Sequence, residues 1–133
     1  MTESERITLE PDWYEPYNIS LGIRAAGLIF LSGQAGIDEH GVTVAGGFQA
    51  QARQALENLS RVLASAGADL SDVVKVTIMV TDMAANLDTV ITLRGEYFSR
   101  PYPADTLIEV SALAQPDWLV EIDVIALDRR ASR

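Results

Sequence analysis

The sequence predicts an α+β protein: a mixed sheet with two helices on one face, in the order β-β-β-α-β-α-β-β. Three observations carry this. Residues 47–66 place apolar side chains at spacings of three and four, the signature of one helix with one buried stripe. Residues 73–81 and 118–128 alternate instead, each with one wholly apolar face and one mixed face. Gly67, Pro101 and Pro103 stand where the helices have to stop.

Taken in order, residues 6–10 alternate as a short strand. Residues 11–18 form a loop set by Pro11 and Pro16 that carries Trp13, Tyr14 and Tyr17. Aromatic side chains in a loop anchor it to a core or line a ligand site. Residues 19–26 read as a strand leaving through an Ala26-Gly27 turn. Residues 28–32 are an apolar run without alternation, which predicts a strand buried on both faces. Gly33 and Gly36 bracket Gln34, and a glycine at a strand end lets another group approach the backbone closely. Residues 37–41 are a turn that exposes His40, the only histidine.

The first helix, 47–66, buries Phe48, Ala52, Ala55, Leu56, Leu59, Val62, Leu63 and Ala66. Val74, Val76, Ile78 and Val80 form the apolar face of the next strand, opposite Val73, Lys75, Thr77 and Met79. A second helix over 82–99 has Leu87, Val90, Ile91, Tyr97 and Phe98 as its apolar side. The prolines at 101 and 103 hold the chain extended into a strand in which Asp105, Leu107 and Glu109 face one way and Thr106, Ile108 and Val110 the other. A loop over 111–117 leads to the last strand, 118–128. Its mixed face holds Glu121 and Asp123. Both helices belong on the apolar faces, so half-apolar sheet surface is left with nothing in the chain to cover it, which predicts self-association.

The chain has 133 residues, which suits one domain over 1–133. It has no cysteine, so disulfides, thiolate metal sites and cysteine nucleophiles are excluded. Its net charge is −9, and its ten basic residues are scattered apart from Arg129, Arg130 and Arg133. That disfavours binding to nucleic acid or to anionic membranes. There is no apolar run of signal-peptide or membrane-span type, so a cytoplasmic location is expected. The lone histidine excludes a Ser-His-Asp triad, and no phosphate loop, GxGxxG or HExxH motif is present. The remaining chemistry-bearing groups are carboxylates on strands: Asp105, Glu109, Glu121 and Asp123. Asp105 and Glu121 could meet across paired strands or across a subunit boundary, and two carboxylates can divide acid and base work when their environments push their pKa values apart.

Several stretches together carry a family resemblance. They are Leu31-Ser32-Gly33-Gln34, residues 51–59 with Ala66-Gly67, Val73-Val74-Lys75-Val76-Thr77 with Val80 and Asp82, Tyr102-Pro103-Ala104, Glu109-Val110, and residues 121–126. In this order the chain resembles the Rid family of reactive intermediate deaminases, also known as YjgF-like or L-PSP endoribonuclease-like. The resemblance covers about residues 17–127. It implies a chorismate-mutase-like fold, a homotrimer with small-molecule ligands in inter-subunit clefts, and hydrolysis of reactive imines and enamines without metal or cofactor. It further implies that Glu121 positions the attacking water, that the Gly33 backbone and Tyr17 contact ligand, and that Thr106, with Leu107 beside it, lies at the ligand site. Asp105 stands where deaminating members carry an arginine that grips the substrate carboxylate, and Ile91 stands where they often carry asparagine.

The predicted activity is therefore hydrolase- or deaminase-like, on a small imine, enamine, amine or amide-like metabolite other than the usual 2-imino acid, with Glu121 and Asp105 as catalytic candidates. Arg24, Arg94 and Arg100 are candidates to replace the missing arginine. The alternative is a non-catalytic trimer that binds a metabolite or a protein partner. An endoribonuclease ranks last because of the acidic charge.

Overall fold

The computed structural model describes residues 3–132. The strands are β1 (Glu5–Ile7), β2 (Gly22–Ala25), β3 (Leu28–Leu31), β4 (Gln34–Ala35), β5 (Val73–Val80), β6 (Ala104–Glu109) and β7 (Val120–Leu127), and the helices are α1 (Gly47–Ser65) and α2 (Met83–Tyr97). They form one mixed sheet in the order β1-β2-β3-β7-β5-β6, with β4 pairing to β7 beyond the end of β3. Only β5 and β6 are parallel, joined by α2 as the crossover. The predicted α+β architecture stands, with the two-residue β4 added to it and β1 placed over Glu5–Ile7 rather than 6–10.

Helix α1 forms for the reason its spacing gives. Ala52, Ala55, Leu56, Leu59, Val62 and Leu63 are buried against the sheet. Gly67, at φ +81°, supplies the left-handed residue that ends it. Helix α2 starts at Asp82, whose Oδ1 accepts the Ala85 N–H at 3.2 Å. Its buried residues are Val90 and Leu93, with Phe98 just beyond its end. Leu87 and Ile91, expected on the apolar side, are exposed.

Two further differences have physical causes. The pairing of β5 with β7 shifts between Val73 and Lys75, and this irregularity buries Val73 and exposes Val74, the reverse of strict alternation. The apolar run of β3 is buried on one face only: Ile29 and Leu31 point into the core, while Phe30 is 39% exposed on the open face. Neighbours in register share a face, so Val76, Val124 and Asp105 lie on the helix side, while Thr77, Asp123 and Thr106 lie on the open side. Phe30, Ile108 and Leu127 leave that open surface partly apolar.

Two fully or nearly buried amides tie the layers together. Asn58 donates to the Ile37 carbonyl at 2.8 Å. Gln51 donates to the Asp117 carbonyl at 2.9 Å and accepts the Leu119 N–H at 2.9 Å. Gln51 thereby fixes both residues flanking Trp118 to α1.

Candidate active site

A cleft of about 400 Å³ opens beside the β4–β7 junction, walled by Trp13, Tyr14, Tyr17, Ile19 and Trp118 and floored by Gly33 and Glu121. The loop before β2 is built to present its aromatics. Asp12 Oδ1 accepts the N–H groups of Tyr14 and Glu15, both at 3.1 Å, closing a turn of the kind Asp favours. The Trp13 indole donates to Gln34 Oε1 at 3.1 Å, and the Tyr14 hydroxyl donates to the Gly33 carbonyl at 2.5 Å. Tyr17 ends a short 3₁₀ turn and is largely exposed at the cleft mouth.

Glu121 reaches this cleft because it sits on β7 opposite Ala35, two residues on from Gly33. A Cβ on Gly33 would lie 2.2 Å from Glu121 Oε2, so the carboxylate rests directly on the glycine backbone. No described residue donates a hydrogen bond to it. Burial, and after it the neighbouring Asp123, push its pKa up. Tyr14 is also raised, chiefly by burial and then by Glu121. Asp123 is raised by burial, with Lys75 and a hydrogen bond from Thr77 acting against the shift.

The shift has a consequence for stability. With a folded-state pKa above the unfolded one, the folded protein binds more protons than the unfolded chain between the two values. Stability therefore falls as pH rises through that window. Ionised Glu121 costs stability at neutral pH, and the cost disappears when the pH drops below both values.

The other candidate residues lie elsewhere in the chain. Asp105 is held in a bidentate ion pair by Arg94, from Nε to Oδ2 at 2.9 Å and from Nη2 to Oδ1 at 2.7 Å. This pair lies on the helix side of β6, beside Tyr102 and Pro103. Asp105 and Glu121 do not meet across paired strands, because β5 separates β6 from β7 and the two side chains leave opposite faces. Thr106 is on the open face, where its Oγ1 accepts from Lys75 Nζ at 2.5 Å. Leu107 packs on the core from the helix side. Ile91 is 53% exposed on α2. Within one chain the cleft therefore gathers Tyr17, Gly33 and Glu121.

Of the other arginines, Arg24 is committed to Asp128 and the Ala66 carbonyl, at 2.7 and 3.0 Å, and Arg100 lies over the Tyr102 ring. Among the described residues no three histidine, aspartate or glutamate side chains gather into a metal-binding group.

This geometry can be set against known proteins. The family model described as Endoribonuclease L-PSP matches residues 8–128. The chain belongs to this family. The RutC family protein YjgH of Escherichia coli is 40% identical over 114 residues, covering 85% of each chain. A human protein named 2-iminobutanoate/2-iminopropanoate deaminase is 36% identical over 100 residues, covering 74% of this chain and 72% of that one. The solved structure of the Rid family protein YyfA from Yersinia pestis superposes with a TM-score of 0.84 at 34% identity, covering 94% of this chain and 99% of that chain.

The aromatic cleft of this L-PSP family chain is only partly legible in its sequence. Trp13 and Tyr14 were legible as loop aromatics of either role. Trp118, Gln115 and Ala114 carry no site signal in the sequence, because their placement depends on the Gln51 clamp, which joins segments more than 60 positions apart. A tryptophan at a loop-to-strand junction was the available signal.

Proposed function

We propose that this L-PSP family chain is a Rid-type hydrolase that releases ammonia from a small imine, enamine or amide-like metabolite lacking a carboxylate, in clefts between the subunits of a homotrimer. The observation that carries the proposal is Glu121, a carboxylate that accepts no hydrogen bond from any described residue, on the floor of an aromatic cleft. Its raised pKa brings it closer to neutrality, where a general base is most effective. In this reading ionised Glu121 takes a proton from water as the oxygen attacks the C=N carbon, and then passes that proton to the nitrogen. The resulting carbinolamine collapses to a carbonyl compound and ammonia. The human relative's deaminase name supports a deaminase-type reaction.

The open sheet face, with Phe30, Ile108 and Leu127 exposed, supports burial against other copies of the chain. Such packing would bring Thr106 and its open-face neighbours from one subunit toward another subunit's cleft, with the Arg94–Asp105 pair on the other face of the same strand. Asp105 favours a substrate without a carboxylate. Its partner Arg94 already has both forks engaged, so a 2-imino acid would have to displace an intramolecular carboxylate. The net charge of −9 weighs against an RNA substrate.

The test compares ammonia release from 2-iminopropanoate, generated in situ by an amino acid oxidase, with release from an N–H ketimine without a carboxylate, such as acetophenone imine. A lost charge-assisted carboxylate clamp corresponds to about tenfold or more in kcat/KM. We expect the ketimine to be the better substrate by about that factor. Faster turnover of 2-iminopropanoate contradicts the substrate assignment. Ligand binding without turnover of either compound supports a non-catalytic trimer instead.

A further inference from the structure

A second cavity lies on the helix side of the sheet, away from the aromatic cleft. Its volume is about 420 Å³, and Arg94, Phe98, Tyr102, Pro103 and Asp105 line it. Small-molecule sites span about 300–1,000 Å³. Phe98, Tyr102 and Pro103 give it apolar walls, and the Arg94–Asp105 ion pair supplies its polar part.

The pair can be reached from solvent: the Arg94 side chain keeps 31% of its exposure and the Asp105 side chain 22%. Neither group is used up by the other. Arg94 gives one N–H of Nε and one of Nη2 to Asp105, and a guanidinium carries five N–H donors, so Nη1 and the second N–H of Nη2 remain. Each carboxylate oxygen of Asp105 accepts one of these bonds and has a further lone pair. Among the described residues neither side chain has another partner.

Tyr102 is a second observation, independent of the pair. Its φ is +58°, in the left-handed region that residues other than glycine rarely adopt. The ring is 50% exposed, so burial in the core does not account for a tyrosine there. The residue is nevertheless held: its N–H donates to the Ser99 carbonyl at 2.8 Å, and the Arg100 guanidinium packs over its ring at 5.4 Å. What this conformation achieves is a ring at the cavity wall, with Phe98 and Pro103. Strained backbone that its surroundings hold in place occurs where a side chain has to be set for a ligand.

We propose that this cavity binds a free α-amino acid with an apolar or aromatic side chain, its ammonium on Asp105, its carboxylate on Arg94 and its side chain against Phe98, Tyr102 and Pro103. Spare donors on one charge and spare acceptors on the other complement a zwitterion. A lone carboxylate meets the like charge of Asp105, and a lone ammonium meets that of Arg94. A zwitterion matches both and leaves the pair unbroken. The site is separate from the cleft and does not depend on the role of Glu121.

The test titrates L-phenylalanine, 3-phenylpropanoate, 2-phenylethylamine and L-serine into the full chain labelled with ¹⁵N. The second probe lacks the ammonium, the third lacks the carboxylate and the fourth lacks the apolar side chain. L-Phenylalanine should move the Arg94 Nε–H signal and the backbone N–H signals of Tyr102, Ala104 and Asp105 saturably, and leave those of Gly33 and Glu121 in place. Each of the other three should bind about fivefold or more weakly. Asp105→Asn keeps the size of the side chain and removes its charge. In that variant the preference should reverse, with 3-phenylpropanoate binding at least as tightly as L-phenylalanine. The ranking on the parent protein decides the matter even if the variant folds poorly.

If any of the other three probes binds the parent protein as tightly as L-phenylalanine, the proposal is overturned. Shifts at Gly33 and Glu121 with none at Tyr102 and Asp105 overturn it as well, because the amino acid then sits in the cleft. The absence of any saturable shift, or a folded Asp105→Asn variant that keeps the parent ranking, does the same.

Discussion

Gly33→Ala is expected to lower turnover by about a hundredfold while leaving the fold intact. The new methyl group would lie 2.2 Å from Glu121 Oε2 and 2.9 Å from Cδ, closer than any non-bonded contact allows. Gly33 is not among the positive-φ glycines, so alanine meets no backbone strain there. The three nearest atoms all belong to the one flexible Glu121 side chain, which can swing away at little cost. A catalytic group displaced by about 1 Å loses about 10² in rate. Thermal unfolding should change by no more than a few degrees, because a surface-type adjustment is worth about 0.5 kcal/mol. Steady-state kinetics and a melting curve on the same preparation check both halves. A variant with normal turnover would mean that the position of Glu121 is immaterial.

Gly36→Ala, three residues along, should do the opposite and destabilise the whole protein. Here the added Cβ would sit 2.4 Å from Gln51 Cα and 2.4 Å from Gln51 Cβ. A helix backbone cannot rotate out of the way as a carboxylate can. Moving α1 outward would also loosen Ala52 and Ala55 from the sheet, and Gln51 from Asp117 and Leu119. Overpacking against a fixed backbone costs about 3 kcal/mol, and in a domain of this size that lowers Tm by about 10 °C. Differential scanning calorimetry reads it directly. The Trp118 indole signal should broaden in the same variant, since its loop hangs on Gln51.

These two glycines show where the sequence was legible. Close approach at Gly33 and Gly36 could be suspected from their place at a strand end. What approaches each could not, because Glu121 is brought to Gly33 by the β4–β7 pairing and Gln51 to Gly36 by the seating of α1. The stripe of α1 was readable because a 3.6-residue period over five turns has one solution. The second helix was harder. Leu87 and Ile91 are apolar by type, yet both are exposed, and Leu93 takes the buried place. An apolar residue facing solvent in one chain and one facing the core have the same spelling.

Phe30 makes the same point on β3. Its run of apolar residues predicted burial on both faces, whereas one of those faces is open in the single chain. In β5 the irregularity at Val73 and Lys75 reverses the first residues of an otherwise faithful alternation, and nothing in Val73-Val74-Lys75 announces it. Asp105 was conspicuous as a carboxylate on a strand. Its pairing with Arg94 eleven positions away follows from the α2 crossover that lays the helix over β6. The ion pair turns an apparent excess of negative charge into a locally neutral site.

Glu121→Gln is the most direct probe of whether this carboxylate performs the chemistry. Ammonia release from a carboxylate-free N–H ketimine and the melting temperature at pH 7 should be measured on the variant and the parent protein together. We expect turnover to fall by about 10² or more, the range of a lost general base. The melting temperature at pH 7 should rise, because glutamine removes a half-buried charge that accepts no hydrogen bond from a described residue. That gain should fade as the pH is lowered and Glu121 in the parent protein takes up its proton. Turnover retained within about threefold would contradict a catalytic Glu121, whatever the melting temperature does.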